Sequence, residues 1–265
     1  MDRTEQRVKE IKQALSIFDS VEFDEAKHEY TYKGNKARIS MTSLVSKHKQ
    51  YFNQKWQAKR YAQKHNLIYE DVLAEWKYKA ARSTTKGTAI HKYTELLFEG
   101  KADNSLPFVN WTSFDKYNIT REHWTALTNQ TDCFYIDACK NLILIATELK
   151  IFDPETGVGG AIDLLMYHPG SDELFMVDLK SSGEINKVNK YKKFMRKPLT
   201  HLPDINFVHY SLQLNGYQHI VQKVTGLKMR NNHFIAHVNE DQEKYQLIPT
   251  ANLLKEMSEL IDNFS

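Results

Sequence analysis

Cysteine is scarce in this sequence: the 265 residues include two, Cys133 and Cys139. Two thiols six residues apart provide neither a disulfide framework nor a four-cysteine metal site. We therefore expect both to be reduced thiols in a cytosolic protein.

Long apolar runs and targeting patterns are also missing. No run approaches the ~20 residues that a membrane helix needs. The segment from Met1 to Gln6 contains acids and lacks an apolar core, so neither a secretory nor a mitochondrial targeting peptide is expected. These absences predict an intracellular protein without a membrane partner.

The sequence contains no internal repeat and no glycine-rich phosphate loop of the helicase type. Its net charge is only +3, so nucleic-acid binding would have to depend on a local basic face and not on the total charge. The length and the hydrophobic content of 41% suit one domain over residues 1–265. Within it, we expect an N-terminal hairpin and helical elaboration over 1–86 and a core over 87–265.

The most informative stretch is a pair of apolar segments joined by turn-forming residues. The first segment runs from Gly159 to Met166 and the second from Glu173 to Lys180. The residues 169–172 between them have the sequence Pro-Gly-Ser-Asp, which favours a turn. This pattern predicts a β-hairpin of two buried strands.

Charged residues interrupt both predicted strands. Asp163 lies in the first, while Asp178 and Lys180 lie near the end of the second. Since residues i and i+2 of a strand face the same side, Asp178 and Lys180 should project together, with Leu179 pointing the opposite way into the core. Buried charges are costly unless they are paired or hold a metal, so we expect the functional site on this hairpin.

The flanking sequence predicts mostly helices before the hairpin and mixed elements after it. Before it, we expect a helix over 5–18, a hairpin over 21–38 and one helix from Thr42 or Ser43 to about His65. Residues 70–99 should be helical with a break near Ser83, and residues 101–119, which include Pro107, should form an irregular loop. A helix from Thr120 to about Gln130 and a strand over 142–152 should follow. After it, we expect a helix over 207–224, strands over 228–238 and 245–248, and a final helix capped by Thr250.

Two segments combine lysine with aromatic residues. The predicted helix ending at His65 is interpreted as amphipathic, with an aromatic core face and a solvated lysine face, which is compatible with nucleic-acid contact. The segment 187–197, after the hairpin, carries Lys190, Lys192 and Lys193 beside Tyr191. It is either a solvated loop or a clamp whose cations follow phosphates and whose rings stack on unpaired bases.

Two carboxylates and a lysine on adjacent strands suit phosphodiester hydrolysis. Asp163 and Asp178 would hold Mg²⁺ or Mn²⁺, with the Leu179 carbonyl as a further oxygen ligand. The metal would activate a water, and Lys180 would orient that water or neutralise the charge that develops on the phosphate. In isolation such a pattern more commonly marks a surface ion pair. A catalytic site is therefore predicted only if separate segments of the sequence agree with it.

Four separated segments follow one family pattern. In chain order they are Gly87-x3-His91-x3-Glu95, Gly160-Ala161-Ile162-Asp163, Asp178-Leu179-Lys180 and Gln213-x3-Tyr217. In order and spacing they resemble the RecB-like branch of the PD-(D/E)XK nuclease superfamily. The stretch from His28 to Leu44 is similar to the N-terminal lead-in of such nucleases, and the resemblance covers roughly residues 22–225.

The resemblance implies an α/β fold with a restriction-endonuclease-like core, in which helices flank a central mixed sheet and an N-terminal helical elaboration is added. It also implies roles for the matching residues. His91 would be a metal ligand contributed by a helix, Gln213 and Tyr217 would contact substrate phosphate, and the catalytic residues would be Asp163, Asp178, Lys180 and Glu95.

The implied activity is that of a metal-dependent DNA exonuclease acting on single strands or ends, similar in size to stand-alone mitochondrial genome-maintenance or phage exonucleases. Partners would be DNA and a helicase, a single-strand-binding protein or a recombination protein. Relatives with an iron–sulfur cluster carry four cysteines, so no such cluster is expected here. Two alternatives stay open: a catalytically silent nucleic-acid-binding or assembly protein on the same fold, and a structure-specific or sequence-specific endonuclease.

Overall fold

The computed structural model describes residues 2–102, 109–181 and 183–264. A short 3-10 helix, Ser16–Ser20, follows the first α-helix. The α-helices are α1 (Arg3–Leu15), α2 (Met41–Lys47), α3 (Gln54–His65), α4 (Tyr69–Phe98), α5 (Trp111–Lys116), α6 (Arg121–Cys139), α7 (Asn206–Thr225) and α8 (Leu254–Asp262). The strands are β1 (Val21–Asp24), β2 (Glu29–Tyr32), β3 (Asn35–Lys36), β4 (Ile39–Ser40), β5 (Ile143–Phe152), β6 (Val158–His168), β7 (Glu173–Lys180), β8 (Phe234–His237) and β9 (Gln246–Pro249).

The strands form two sheets. A small antiparallel sheet has the order β1-β2-β3, and the larger sheet has the order β4-β6-β7-β8-β9 with β5 also paired to β6. Strand β6 is antiparallel to β5 and β7, while the pairs β4–β6 and β7–β8 are parallel. The expected α/β class, a central mixed sheet flanked by helices with an N-terminal helical elaboration, is confirmed.

Helices cover both faces of the larger sheet. Buried side chains of α1, α2, α7 and α8 pack in one hydrophobic cluster with Leu174 and Met176 of β7. Helices α4, α5 and α6 supply a second cluster, which contains Phe175, Val177 and Leu179 of the same strand. Successive residues of β7 therefore pack on opposite faces, as the period of two predicts. Among the described residues, no helix combines the length and the apolarity that crossing a membrane requires.

Strands β6 and β7 form the predicted hairpin, but they separate before its open end. Over the described residues their antiparallel register ends at Leu164↔Val177. Beyond Val177, β7 continues in parallel register with β8. The two strands therefore diverge at the position of Asp163 and Asp178.

The single helix predicted to end at His65 is wrong, because two helices occupy that stretch. Ser40 caps α2 by accepting the Ser43 N–H at 3.2 Å, and Asn53 caps α3 by accepting the Trp56 N–H at 3.0 Å. A second capping residue within the predicted helix ends one helix and begins another.

The aromatic residues of this stretch do not form a core face, contrary to the sequence interpretation. The side of α3 that packs on α4 presents Ala58 and Ala62, which meet Val72 in a small buried cluster. Trp56 and Tyr61 are exposed instead. Because α3 contributes only alanines to the buried part of this contact, its own rings stay largely outside it.

Helix α4 is continuous through the break predicted near Ser83. The hydroxyl of Thr84 donates to the Ala80 carbonyl one turn earlier, a bond that is compatible with an unbroken helix. The helix also runs across residues 86 and 87, the expected division between the elaboration and the core. Helix α6 likewise continues beyond Gln130 to Cys139.

Two further local predictions need correction. The predicted loop 101–119 contains α5, which Asn110 caps by accepting the Ser113 N–H at 3.0 Å; Pro107 lies outside the described residues. Thr250 does not cap the last helix, since α8 begins at Leu254. The Thr250 hydroxyl instead accepts the backbone N–H of His233 at 3.1 Å.

Candidate metal and catalytic site

The candidate site begins where β6 and β7 diverge. There, Oδ2 of Asp163 accepts the backbone N–H of Leu179 at 2.9 Å. A strand N–H that has left the ladder needs another acceptor, and the Asp163 side chain provides it. The bond fixes a carboxylate of β6 against the end of β7.

Helix α4 brings an imidazole to the same carboxylate. Nδ1 of His91 lies 3.4 Å from Oδ2 of Asp163. One turn earlier, Gly87 lies beside Ser181, which follows β7: a Cβ on Gly87 would be 3.7 Å from the Ser181 Oγ. The side of α4 that carries Gly87 and His91 therefore lies against the end of the hairpin.

Glu148 completes this group, although the sequence analysis did not place it in the site. One possible ligand atom from each of His91, Glu148 and Asp163 lies within 4.8 Å of the other two. Glu148 has a φ of 45° within β5, a conformation that residues with side chains rarely adopt. The sequence signal for Glu148 was a lone acid in an apolar strand, and that signal does not show which way the strand turns it.

The carboxyl of Glu148 is held in a setting that disfavours its charge. Burial raises its pKa to about 7, and the nearby carboxylate of Asp163 adds to the increase. Glu95 lines the same small cavity and acts in the same direction on Glu148. Glu95 is itself in an ion pair with Lys92 at 2.7 Å.

Asp178 and Lys180 project from the same side of β7, as predicted, and form an ion pair with a distance of 2.5 Å between Nζ and Oδ2. Burial raises the pKa of Asp178 to about 6, even though Lys180 opposes the shift. Burial alone would lower the pKa of Lys180, but the carboxylates of Asp178 and Asp163 raise it above its ordinary value. The Lys180 ammonium also lies 5.2 Å from the ring centroid of Tyr210 on α7.

Gln213 and Tyr217 share a face of α7 and contact each other: Nε2 of Gln213 donates to the Tyr217 hydroxyl at 3.1 Å. The ring of Tyr217 is buried against Gly160 of β6, where a Cβ would come within 2.4 Å of Cε1. Burial raises the pKa of Tyr217 well above its ordinary value. Glycine at position 160 is therefore needed for the approach of this ring, and contact of the pair with phosphate stays a prediction.

Lys190, Lys192 and Lys193 lie exposed on the segment that joins β7 to α7. Two of them have partners on the same segment, since Lys190 is 3.7 Å from a carboxylate oxygen of Glu184 and Lys193 lies over the ring of Tyr191. They are not among the grouped residues His91, Glu148 and Asp163, and their role in binding substrate stays a prediction.

The donor set fits a hard divalent cation. Two carboxylates and an imidazole suit Mg²⁺ and, because of the nitrogen, Mn²⁺ still better. Oδ2 of Asp178 is buried and, among the described residues, receives no aligned hydrogen bond despite the nearness of Lys180. Of the predicted ligands, His91 and Asp163 are grouped, Leu179 lines the same cavity, and Asp178 faces Lys180.

No protein-family profile matches this chain, and no curated protein matches it either. Among solved structures, the crystal structure of SSO0001 aligns with all of this chain and with 86% of its own chain, at 14% sequence identity and a TM-score of 0.34. A likeness this weak adds nothing to the argument from the site.

Proposed function

We propose that this protein is a divalent-metal-dependent nuclease that hydrolyses phosphodiester bonds of DNA, as an exonuclease on single strands or ends. The observation that carries the proposal is the grouping of His91, Glu148 and Asp163, whose ligand atoms lie within 4.8 Å of one another. The Asp178–Lys180 ion pair on the neighbouring strand supplies the second half of the chemistry. The resemblance of the motifs to the RecB-like PD-(D/E)XK branch supports the same conclusion.

Three separate elements would set the ligand positions. Asp163 is held by the Leu179 N–H, His91 approaches from α4, and Glu148 lies on β5 between the residues that pair with Leu164 and Ile162, opposite Asp163. A cation bound there would polarise the scissile phosphate and lower the pKa of an attacking water. Its charge would also offset the crowding of acids that raises the pKa of Glu148.

Lys180 would act as a fixed positive charge toward the reacting phosphate. The neighbouring carboxylates raise its pKa, so the ammonium stays protonated despite burial. In a partly dry site, a positioned ammonium stabilises the charge that develops in the transition state far better than it would in water. Asp178 keeps Lys180 in place through the 2.5 Å contact.

Gln213 is proposed to contact a phosphate oxygen of the substrate, positioned by Tyr217. The Tyr217 ring is fixed against Gly160, and its hydroxyl accepts one N–H of the Gln213 amide. The amide carries a second N–H, which would donate to the phosphate oxygen. We further propose an intracellular protein that works on DNA together with a helicase, a single-strand-binding protein or a recombination protein.

The test uses three DNA substrates: an end-labelled linear single strand, an end-labelled duplex and a closed single-stranded circle. Each is incubated with Mg²⁺, Mn²⁺ or EDTA. We expect cleavage of the linear single strand with either metal, none in EDTA, and an intact circle. Cleavage of the circle would assign an endonuclease, and binding without cleavage in every metal would assign the catalytically silent alternative.

A further inference from the structure

A basic and aromatic surface lies beside the site, and the proposed chemistry does not use it. No acidic residue occurs between Glu29 and Glu70, a stretch that includes α2 and α3. The cations in that stretch are Lys33, Lys36, Arg38, Lys47, Lys49, Lys55, Lys59, Arg60 and Lys64. Such a one-sided distribution concentrates positive potential although the whole chain carries +3.

Large rings are exposed on the same stretch. Tyr51 is 83% exposed, Phe52 56%, Trp56 51% and Tyr61 43%. Trp56 is exposed because α3 packs on α4 through Ala58 and Ala62, whereas Tyr51 and Phe52 precede the helix. The Tyr61 ring lies 6.0 Å from the ring of Trp76 on α4 and is still partly open to solvent. Several exposed rings at neighbouring positions mark an interaction surface, whereas single ones do not.

Within the described parts of the chain, the cations of α3 have no acidic partners. Among the described residues, no carboxylate lies within 4.0 Å of the charged groups of Lys55, Lys59, Arg60 or Lys64. The Arg60 guanidinium lies instead 4.6 Å from the ring centroid of Trp56. Unpaired cations beside exposed rings suit a polyanion that also offers flat faces, which is the chemistry of an unpaired nucleic-acid strand.

This surface is joined to the basic loop 187–197 by hydrogen bonds. Nε2 of Gln50 donates to the Phe194 carbonyl at 2.6 Å. The backbone N–H of Arg196 donates to the His48 carbonyl at 2.7 Å. The loop adds its own exposed rings, Tyr191 at 83% and Phe194 at 48%. The segment that enters α3 and the loop that follows β7 therefore form one continuous basic and aromatic surface.

The surface also starts next to the candidate site. The backbone N–H of Gln50 donates to Oδ2 of Asp204 at 2.8 Å, and Oδ1 of the same carboxylate lies 2.7 Å from Nε2 of His209 on α7. His209 immediately precedes Tyr210 on α7, and the Tyr210 ring lies under the Lys180 ammonium. The path from the site to α3 thus runs over α7 and the segment 48–50.

We infer that α3, the preceding residues 49–53 and the loop 187–197 form a track that holds single-stranded DNA as it enters or leaves the site. The choice of DNA rests on the proposed function, and the choice of a single strand rests on the exposed rings. Bases in a duplex are stacked on one another and leave no free face for Trp56 or Tyr51, whereas unpaired bases do.

The track is tested by binding of a fluorescent oligothymidine to the full chain in EDTA, where cleavage does not interfere. The aromatic variant is Y51A/F52A/W56A and the charge variant is K55Q/K59Q/R60Q. A matched control, K9Q/K12Q/K228Q, removes three exposed lysines elsewhere that have no ion-pair partner among the described residues. Circular dichroism establishes that each variant is folded.

We expect the aromatic variant to bind at least about tenfold more weakly, by a factor that changes little with salt. The charge variant should also bind more weakly, and the slope of log K against log salt should flatten by about 0.7 for each lost phosphate contact. The control variant should keep the wild-type affinity and lose less of the slope than the charge variant.

Wild-type affinity and slope in both folded track variants would overturn the inference. So would binding of the wild-type chain to phosphatidylserine vesicles, with no binding to oligothymidine, since that result assigns the surface to a membrane. The proposed function is judged separately by metal-dependent cleavage: a chain that cleaves normally while its track variants bind normally would refute the track alone.

Discussion

The backbone N–H of Leu179 donates to Oδ2 of Asp163 at 2.9 Å, across the gap where β6 and β7 diverge. The same oxygen lies 3.4 Å from Nδ1 of His91. Asp163 thus has a structural partner on one side and an imidazole on the other. Because an amide oxygen can also accept the Leu179 N–H, Asp163→Asn should keep the strand geometry while it removes the negative charge.

Lys180→Ala should abolish turnover and leave single-strand binding nearly intact, because the ammonium acts on charge that develops in the transition state. The variant also leaves Asp178 buried without its cation, so Asp178 should take up a proton. Lys180→Gln, which keeps a donor of similar length, is the matched variant for folding. Single-turnover kinetics measure the cleavage rate, and fluorescence anisotropy measures single-strand binding. Cleavage by Lys180→Ala at the wild-type rate would show that Lys180 is not catalytic.

His91→Ala should weaken Mn²⁺ binding by at least about tenfold, since loss even of a residue that only supports a metal ligand commonly lowers metal affinity 10- to 100-fold. Activity with Mn²⁺ in the wild-type chain should equal or exceed that with Mg²⁺, because imidazole suits Mn²⁺ better. Calorimetric titration with Mn²⁺ measures the affinity. Lys77→Ala, an exposed residue of α4 with no ion-pair partner among the described residues, is the control, and equal Mn²⁺ affinity in both variants would exclude His91 as a ligand.

Glu148→Gln should change how the stability of the metal-free protein depends on pH. Burial raises the pKa of Glu148 to about 7 from an ordinary 4.5, so between these values the folded chain holds a proton that the unfolded chain has released. The free energy of unfolding should therefore fall as pH rises through this window. The Glu148→Gln variant lacks this pH-dependent fall in the free energy of unfolding, because its amide does not titrate.

At about pH 8 the metal-free Glu148→Gln chain should be more stable than wild type by about 1–2 kcal/mol, after allowance for solvent screening, and the difference should vanish near pH 4. Asp178 contributes a slope of the same sign in both chains, so it cancels in the comparison. Urea unfolding in EDTA measures the difference. A difference that is independent of pH would contradict the buried, acid-facing setting of Glu148.

Gly160→Ala should destabilise the fold by about 1–3 kcal/mol, because the new methyl would meet Cε1 of Tyr217 at 2.4 Å and the buried ring has little room to move. Gly87→Ala is the matched control. Its methyl would meet Ser181 at an ordinary 3.7 Å, and alanine favours the helix by about 1 kcal/mol. Thermal unfolding compares them, and equal melting temperatures would show that Tyr217 is not fixed by Gly160.

The hairpin and its charged residues could be predicted because their signals are local. The alternation of β7 follows from the period of a strand, so the shared side of Asp178 and Lys180 could be derived from their spacing. The position of His91 beside Asp163 was expected from the combined motifs, because the helix that carries His91 does not by itself indicate a site. The metal, the reaction and the DNA substrate remain predictions.

Glu148 and the exposed rings could not be predicted, since both depend on distant contacts. The position of Glu148 depends on the register of β5 against β6, which sets it opposite Asp163, and the sequence does not give that register. The exposure of Trp56 depends on which side of α3 packs against α4, and amphipathic spacing alone assigned the rings to the core. In both cases tertiary packing overrides the local pattern.

The most direct test of the account follows one end-labelled single strand through removal and return of the metal. Wild type and Asp163→Asn are assayed in Mn²⁺, then in excess EDTA, then after Mn²⁺ is restored. Wild type should cleave, stop and cleave again, while Asp163→Asn stays folded and inactive throughout, because the ion needs the Asp163 carboxylate. Cleavage by wild type in excess EDTA, or by Asp163→Asn at the wild-type rate, would contradict a metal-dependent nuclease at this site.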